Sequence, residues 1–161
     1  MANSLQVYTT IFIFQKTKVL FLKRAEWKKF APNLYTGIVG KVEENEHKDI
    51  RSSAYRELQE ETRIKPEQIS PLKYAGEVLV FNRPDGDHLI YYYSSQVTND
   101  FSLDLFCNEG KLEWHEQESY SELEIIPTTK SCLSYIVENK PFRGIYNALT
   151  EENKYLVVSG N

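Results

Sequence analysis

Residues 40–64, GKVEENEHKDIRSSAYRELQEETRI, decide how this chain is read. Their centre, Arg56-Glu57-Leu58-Gln59-Glu60-Glu61, predicts a helix, because these residue types form helices well and neither glycine nor proline interrupts them. At about 100° per residue, Glu57, Glu60 and Glu61 share an arc of roughly 100° on one face. Ile50, Ala54 and Leu58, spaced by four, make an apolar stripe on another face that can dock on a core. Like charges at i,i+4 destabilise an isolated helix by about 0.2–0.5 kcal/mol per pair. A hard divalent cation bound through oxygen would offset that repulsion. A solvated acidic face would simply tolerate it.

The spacing around the helix carries more information than the glutamates alone. Gly40 precedes a five-residue spacer and Glu46, and Arg56-Glu57 follows. The pattern resembles the Nudix hydrolase box, with Gly40, Glu46, Arg56, Glu57, Leu58, Glu60, Glu61 and Ile64 at matching positions. Three features depart from it. Nine residues separate Glu46 from Arg56 where the box has seven. Arg63 stands at the box's late glycine, a place where glycine takes positive φ at little cost. Val39 and Asn45 replace further glycines common in the family. Each alters loop geometry, and all the box carboxylates remain. Pro66 stops the helix soon after, since the residue before proline is driven out of the α region.

At 161 residues the chain suits one domain, 1–161, with a sizeable core. A net charge of −4 argues against a general nucleic-acid binder. A nucleotide remains compatible, because a bound metal supplies positive charge locally. Cys107 and Cys132 are expected to be free, buried thiols. The N-terminal residues lack a signal-peptide pattern and no apolar run is long enough to span a membrane, so a cytoplasmic location is expected.

Alternation of β-branched and aromatic residues predicts strands at 5–15 and 18–23, a polar loop at 24–33, and a strand at 35–42 leading into the box. Strands at 73–82 and 88–97 flank the turn residues Arg83-Pro84-Asp85-Gly86 and form a hairpin. A loop at 99–108, a strand at 111–117 and a short helix or turn at 119–123 follow. A helix at 128–139 is capped by Thr128 or Thr129, with Cys132, Leu133, Ile136 and Val137 as its apolar face. Strands at 142–149 and 154–159 end the chain. This order fits an α/β/α sandwich with a mixed β-sheet, the fold the Nudix resemblance also implies.

Cleaving a phosphoric anhydride requires an aimed water and positive charge on the phosphate oxygens. Mg²⁺ supplies both. The resemblance implies that Glu57, Glu60 and Glu61 hold Mg²⁺ or Mn²⁺, helped by the backbone carbonyl of Val39. Arg56 would pair with Glu46 and keep the glutamates aimed. The segment 108–114, NEGKLEW, resembles the downstream part of MutT-like members, which implies that Glu109 reaches the metals or the attacking water. General-base duty is left open between Glu109 and Glu60. Arg24 is the leading candidate for phosphate contact, with Lys23 and Lys41 behind it. Tyr35, Thr36, Phe81 and Thr129 are candidates for binding a base. His47, His88 and His115 lack metal-ligand spacing and are expected at the surface.

The resemblance therefore implies a Mg²⁺-dependent hydrolase of a small nucleotide. For the MutT-like branch the substrate would be a nucleoside triphosphate, such as the oxidised 8-oxo-dGTP, converted to monophosphate and pyrophosphate. ADP-ribose, a dinucleoside polyphosphate or another nucleoside diphosphate-X compound is an alternative, as is a nucleotide-sensing module without turnover. No nucleic-acid or membrane partner is expected. A homodimer is compatible with the aromatic run Tyr91-Tyr92-Tyr93, which could cover a partner or a core.

Overall fold

The computed structural model describes residues 5–98 and 102–158. Its strands are β1 (Gln6–Gln15), β2 (Lys18–Arg24), β3 (Tyr35–Thr36), β4 (Ile38–Lys41), β5 (Lys73–Phe81), β6 (His88–Gln96), β7 (Gly110–Glu116), β8 (Phe142–Asn147) and β9 (Asn153–Val157). They join in one mixed sheet of order β3-β2-β1-β6-β5-β8-β9, with β4 added to β1 and β7 to β2. Helices α1 (Ile50–Thr62) and α2 (Pro127–Val137) lie on opposite faces. This is the α/β/α sandwich that the sequence predicts.

Strand alternation sends successive side chains of β1 to different layers. Ile11 and Ile13 pack beneath α1 with Leu20, Leu22, Ile38, Ala54 and Leu58. Phe12 packs beneath α2 with Phe21, Val78, Tyr92, Leu133 and Phe142. Tyr92 and Tyr93 are buried in opposite layers and Tyr91 is half-buried, so the aromatic run serves the core. Full burial of Leu58 contributes about 1.5–3 kcal/mol by area.

Helix α1 starts at Asp49, whose carboxylate accepts from the backbone N–H of Ser52 at 3.1 Å. Its stripe continues one turn beyond the apolar residues, with Thr62 buried and its hydroxyl donating to the Leu58 carbonyl. Arg63 ends the helix in the left-handed region at φ 64°, and its guanidinium lies over Phe106 at 3.9 Å. The family's glycine is therefore replaced by a residue that accepts the strained conformation and gains a stacked contact.

Several boundaries differ from expectation. The strand predicted at 35–42 breaks at Gly37, because β3 pairs with β2 while β4 pairs with β1. The nine residues between Glu46 and Arg56 comprise 47–49, which follow a short 3-10 turn at Glu44–Glu46, and the first six residues of α1. Helix α2 begins at Pro127 with Ile126 as N-cap, so neither Thr128 nor Thr129 caps it; proline's fixed φ favours the first helical position. Thr129 is instead buried, its hydroxyl 3.2 Å from that of Tyr92. Val137 is only partly buried. Cys132 is a buried free thiol, and Cys107 is free and partly buried. Parts of the expected loop at 99–108 and strand at 154–159 lie outside the described residues. Among the described residues no helix is long and apolar enough to cross a membrane.

Candidate active site

The site is built where β4 meets α1. Gly40 pairs with Thr9 of β1, and the space a Cβ would occupy at Gly40 is filled by the side chain of Glu57. A methyl there would sit 2.5 Å from Glu57 Cβ and 2.6 Å from Glu57 Cδ. Glycine thus lets helix and strand approach until Glu57 lies flat on the strand. Val39, just before it, turns its side chain toward the opposite face of the sheet.

Arg56 ties this corner together. Its Nε donates to Glu46 Oε2 at 2.6 Å and its Nη2 to Glu46 Oε1 at 2.7 Å, a two-point clamp between loop and helix. The clamp pulls the Glu46 carboxyl down to about 2, chiefly through the hydrogen bonds from Arg56. Arg56 Nη1 also reaches Glu60 Oε2 at 2.8 Å and Glu57 Oε1 at 3.0 Å. The orienting pair with Glu46 and the i,i+4 pair with Glu60 therefore coexist.

Glu61 is the distinctive member. Its Oε2 is buried and has no hydrogen-bond partner. Burial raises its pKa first, and the charges of Glu109 and Glu60 raise it further. Burial likewise raises that of Glu57, against the pull of Arg56. Asn108 brings Glu109 to this corner: its backbone N–H donates to the Glu61 carbonyl and its side-chain amide to the Glu60 carbonyl, each at 3.3 Å. The last turn of α1 is thereby capped by a loop distant in sequence. Glu109 in turn pairs with Lys28.

Among the described residues no three His, Cys, Asp or Glu side chains already converge as a finished ligand set. Glu57 and Glu60 lean on Arg56 instead. The donor chemistry nonetheless suits a hard cation. An orphaned buried carboxylate oxygen, a neighbour held flat against a glycine and two more acids close by all favour positive charge between them.

On the α2 side of the sheet a cavity of about 290 Å³ opens beside this corner. Arg24, Thr36, Val39 and Thr129, all singled out from the sequence, line it. Lys41, Tyr35 and Phe81 do not. Lys41 is exposed, with its carbonyl 3.4 Å from Arg56 Nη2. Tyr35 turns away to donate to Glu113 at 2.9 Å and packs edge-on against Phe21 and His115. Phe81 projects from the face of β5 opposite Val80, which does line the cavity.

Sequence reading missed the rest of the wall. His88, expected at the surface, is 8% exposed and lines the cavity, with its Nε2 3.0 Å from Asp85 Oδ2. Burial lowers its pKa, so the neutral imidazole is favoured. Tyr8 stacks on His88, and Arg83 and Arg24 approach the Phe30 ring at 5.3 and 5.5 Å. Arg83 and Asp85 read only as turn residues, and nothing local in the sequence aims them inward.

Comparison with known proteins then decides the family: a profile of the NUDIX domain matches residues 4–148. The chain belongs to the NUDIX family. Members of the family are pyrophosphohydrolases of nucleoside diphosphate derivatives. No curated protein sequence matches this NUDIX chain significantly. Its fold is similar to that of a MutT protein from Bacillus halodurans (19% identity, TM-score 0.72, covering 93% of this chain and 97% of the other). It is also similar to a C. elegans Ap4A hydrolase (18%, 0.63, 84% and 98%). A third similar structure is the NUDIX domain of Shewanella oneidensis NrtR complexed with ADP ribose (15%, 0.64, 86% and 88%).

Proposed function

We propose that the protein is a Mg²⁺-dependent hydrolase of nucleoside diphosphate derivatives, with the base entering the cavity behind Arg24 and the phosphate chain lying along α1. The observation that carries this reading is the buried, unpartnered Oε2 of Glu61 beside Glu57 and Glu109. A lone buried carboxylate costs several kcal/mol unless something pairs with it. A cation explains why the acid is kept. Glu57, Glu60 and Glu61 would hold the ion, with the Val39 carbonyl as a further donor, and Mn²⁺ would suit the same oxygens.

Bound there, the metal would lower the pKa of a water and neutralise phosphate oxygens. The chain's own residues do the rest. Arg56, clamped to Glu46, keeps Glu57 and Glu60 aimed. Arg24 presents a guanidinium to the phosphates at the cavity mouth. Water attacks phosphorus, one P–O anhydride bond breaks, and a carboxylate takes the water's proton. Glu109 and Glu60 are the two candidates for that proton; the variant whose pH–rate profile loses its acidic limb, E109Q or E60Q, identifies it.

A nucleoside triphosphate, 8-oxo-dGTP among them, meets these demands and would yield monophosphate and pyrophosphate. The cavity's volume is near the lower end for ligand pockets, which suits a base rather than a whole nucleotide. The decisive experiment offers nucleoside triphosphates, ADP-ribose and dinucleoside polyphosphates with Mg²⁺, resolves the nucleotide and sugar-phosphate products, and for the triphosphates separates pyrophosphate from orthophosphate. Absence of any anhydride cleavage across that panel would sink the reading.

A further inference from the structure

Helix α1 packs on β1 and β4, and the same face of the sheet runs on beyond it across β6, β5, β8 and β9. Leu79, Leu89, Ile145 and Leu156 point to that open part and belong to neither core layer. Alternation puts them there, since Val78, Ile90, Tyr146 and Tyr155 beside them pack beneath α2. Ile145 and Leu156 are 46% and 65% exposed, and β9 is the outer strand at that edge of the sheet. Apolar side chains grouped on an open face next to a free edge mark an interaction surface.

Strand pairing arranges this face in two rows. Leu89, Leu79, Ile145 and Lys154 stand in line in one, and Tyr91, Glu77, Arg143 and Leu156 in the other. Glu77 and Arg143 are therefore side by side at the middle. The Arg143 side chain is 68% exposed and its Nη2 lies 3.7 Å from Glu77 Oε1, beyond hydrogen-bond reach, while the Tyr74 hydroxyl donates to that oxygen at 2.5 Å. Arg143 thus has donors to spare for a carboxylate arriving from outside.

A two-fold axis parallel to the strands, midway between β5 and β8, maps this pattern onto its own complement. Glu77 then faces Arg143 of the second copy, Leu79 faces its Ile145 and Tyr91 faces its Leu156, each contact made twice. Leu89 faces Lys154, whose methylene stem can lie on it with the ammonium in solvent. The outer strand β9 of the second copy ends over β6, short of α1. Sheets packed in this way lie about 10 Å apart with strands within about 30° of each other. Four strands about 4.8 Å apart and about six residues deep make a plane of roughly 19 by 20 Å. That is small for an obligate dimer, so association is reversible.

We propose that this open face of β5, β8 and β9 seats a second copy of the chain, held by reciprocal Glu77–Arg143 ion pairs around Leu79 and Ile145. Acid and base in register at the centre, rather than one sign of charge, select a self-complementary partner over an acidic or a basic one. Of the run Tyr91-Tyr92-Tyr93 only Tyr91 takes part, since the other two are buried in the core. The surface stands apart from the carboxylate corner, and its test requires no substrate.

Sedimentation velocity between about 1 and 100 μM should show wild type passing from monomer to dimer, as a small reversible interface does. E77R and R143E each bring like charges together twice and should weaken the dimer at least about tenfold. Mixing E77R with R143E, or joining them in one chain, restores opposite charges at both contacts and should return the dimer to within about threefold of wild type. A general effect of altered surface charge predicts no such rescue. L156D, at an exposed position outside both core layers, should also lose the dimer, and it keeps the test open if a charge variant fails to melt like wild type. A wild type that stays monomeric throughout, single reversals that dimerise as well as wild type, or reversals that do not rescue each other overturn the proposal. A dimer that survives L156D lies on another face and overturns it equally.

Discussion

Gly40→Ala isolates the closest approach in the site. Gly40 does not occupy the left-handed region, so alanine meets no backbone strain and the effect is steric. The new methyl would overlap Glu57 Cγ and lie 2.5 Å from Glu57 Cβ. Because Cβ itself is struck, a rotamer change in Glu57 cannot relieve the clash; strand and helix must move apart. Overpacking of this kind costs about 1–3 kcal/mol. Reduced freedom of the unfolded chain returns about 0.4–1 kcal/mol. The net loss is then at most about 2.5 kcal/mol, or a Tm drop of under roughly 10 °C at this chain length. Turnover should suffer far more, since a displacement near 1 Å costs on the order of 100-fold. Thermal unfolding and steady-state kinetics on one preparation separate the two effects. A folded G40A that keeps kcat within threefold of wild type would refute the claim that Glu57 works only in this seat.

Glu61→Gln should abolish most turnover and Mg²⁺-dependent thermal stabilisation, while the metal-free protein unfolds no earlier than wild type, because a charge disfavoured by burial and by Glu109 is gone; a variant still stabilised by Mg²⁺ contradicts the assignment. Arg24→Ala should raise KM for triphosphates about 10- to 100-fold through loss of a charge-assisted contact, and an unaltered KM clears Arg24 of phosphate binding. The Glu46 carboxyl is held at about 2 when folded, below its unfolded value near 4.3, so its pairing stabilises fully above pH ~4.3 and the benefit is lost as pH falls through 2. Urea unfolding of wild type and E46Q should accordingly converge in that window; a stability gap unchanged at pH 2 would show that the Arg56 clamp is not its source.

The box was legible because its information is local. Helix propensity, an apolar stripe and acids one turn apart are properties of a continuous segment, and Glu46 to Arg56 needs only a short loop to close. Glu109 was legible by motif, but its place beside Glu61 depends on Asn108 capping a helix more than forty residues away. The cavity beside Arg24 was legible in part. Thr36 and Thr129 line it, whereas Tyr35, though in the same layer, turns to Glu113, and Phe81 projects from the face of β5 opposite Val80.

The chain's linear order therefore made the family resemblance, the sandwich class and the acidic helix legible, through motif spacing, strand alternation and helix propensity. Tertiary structure alone decided which face each short strand presents, that His88 is buried against Asp85, and that Trp27 and Phe30 open onto clefts sharing Arg24. The reason is physical. A one-residue change of register sends a strand's side chains to the other layer, and register is set by pairing partners far along the chain.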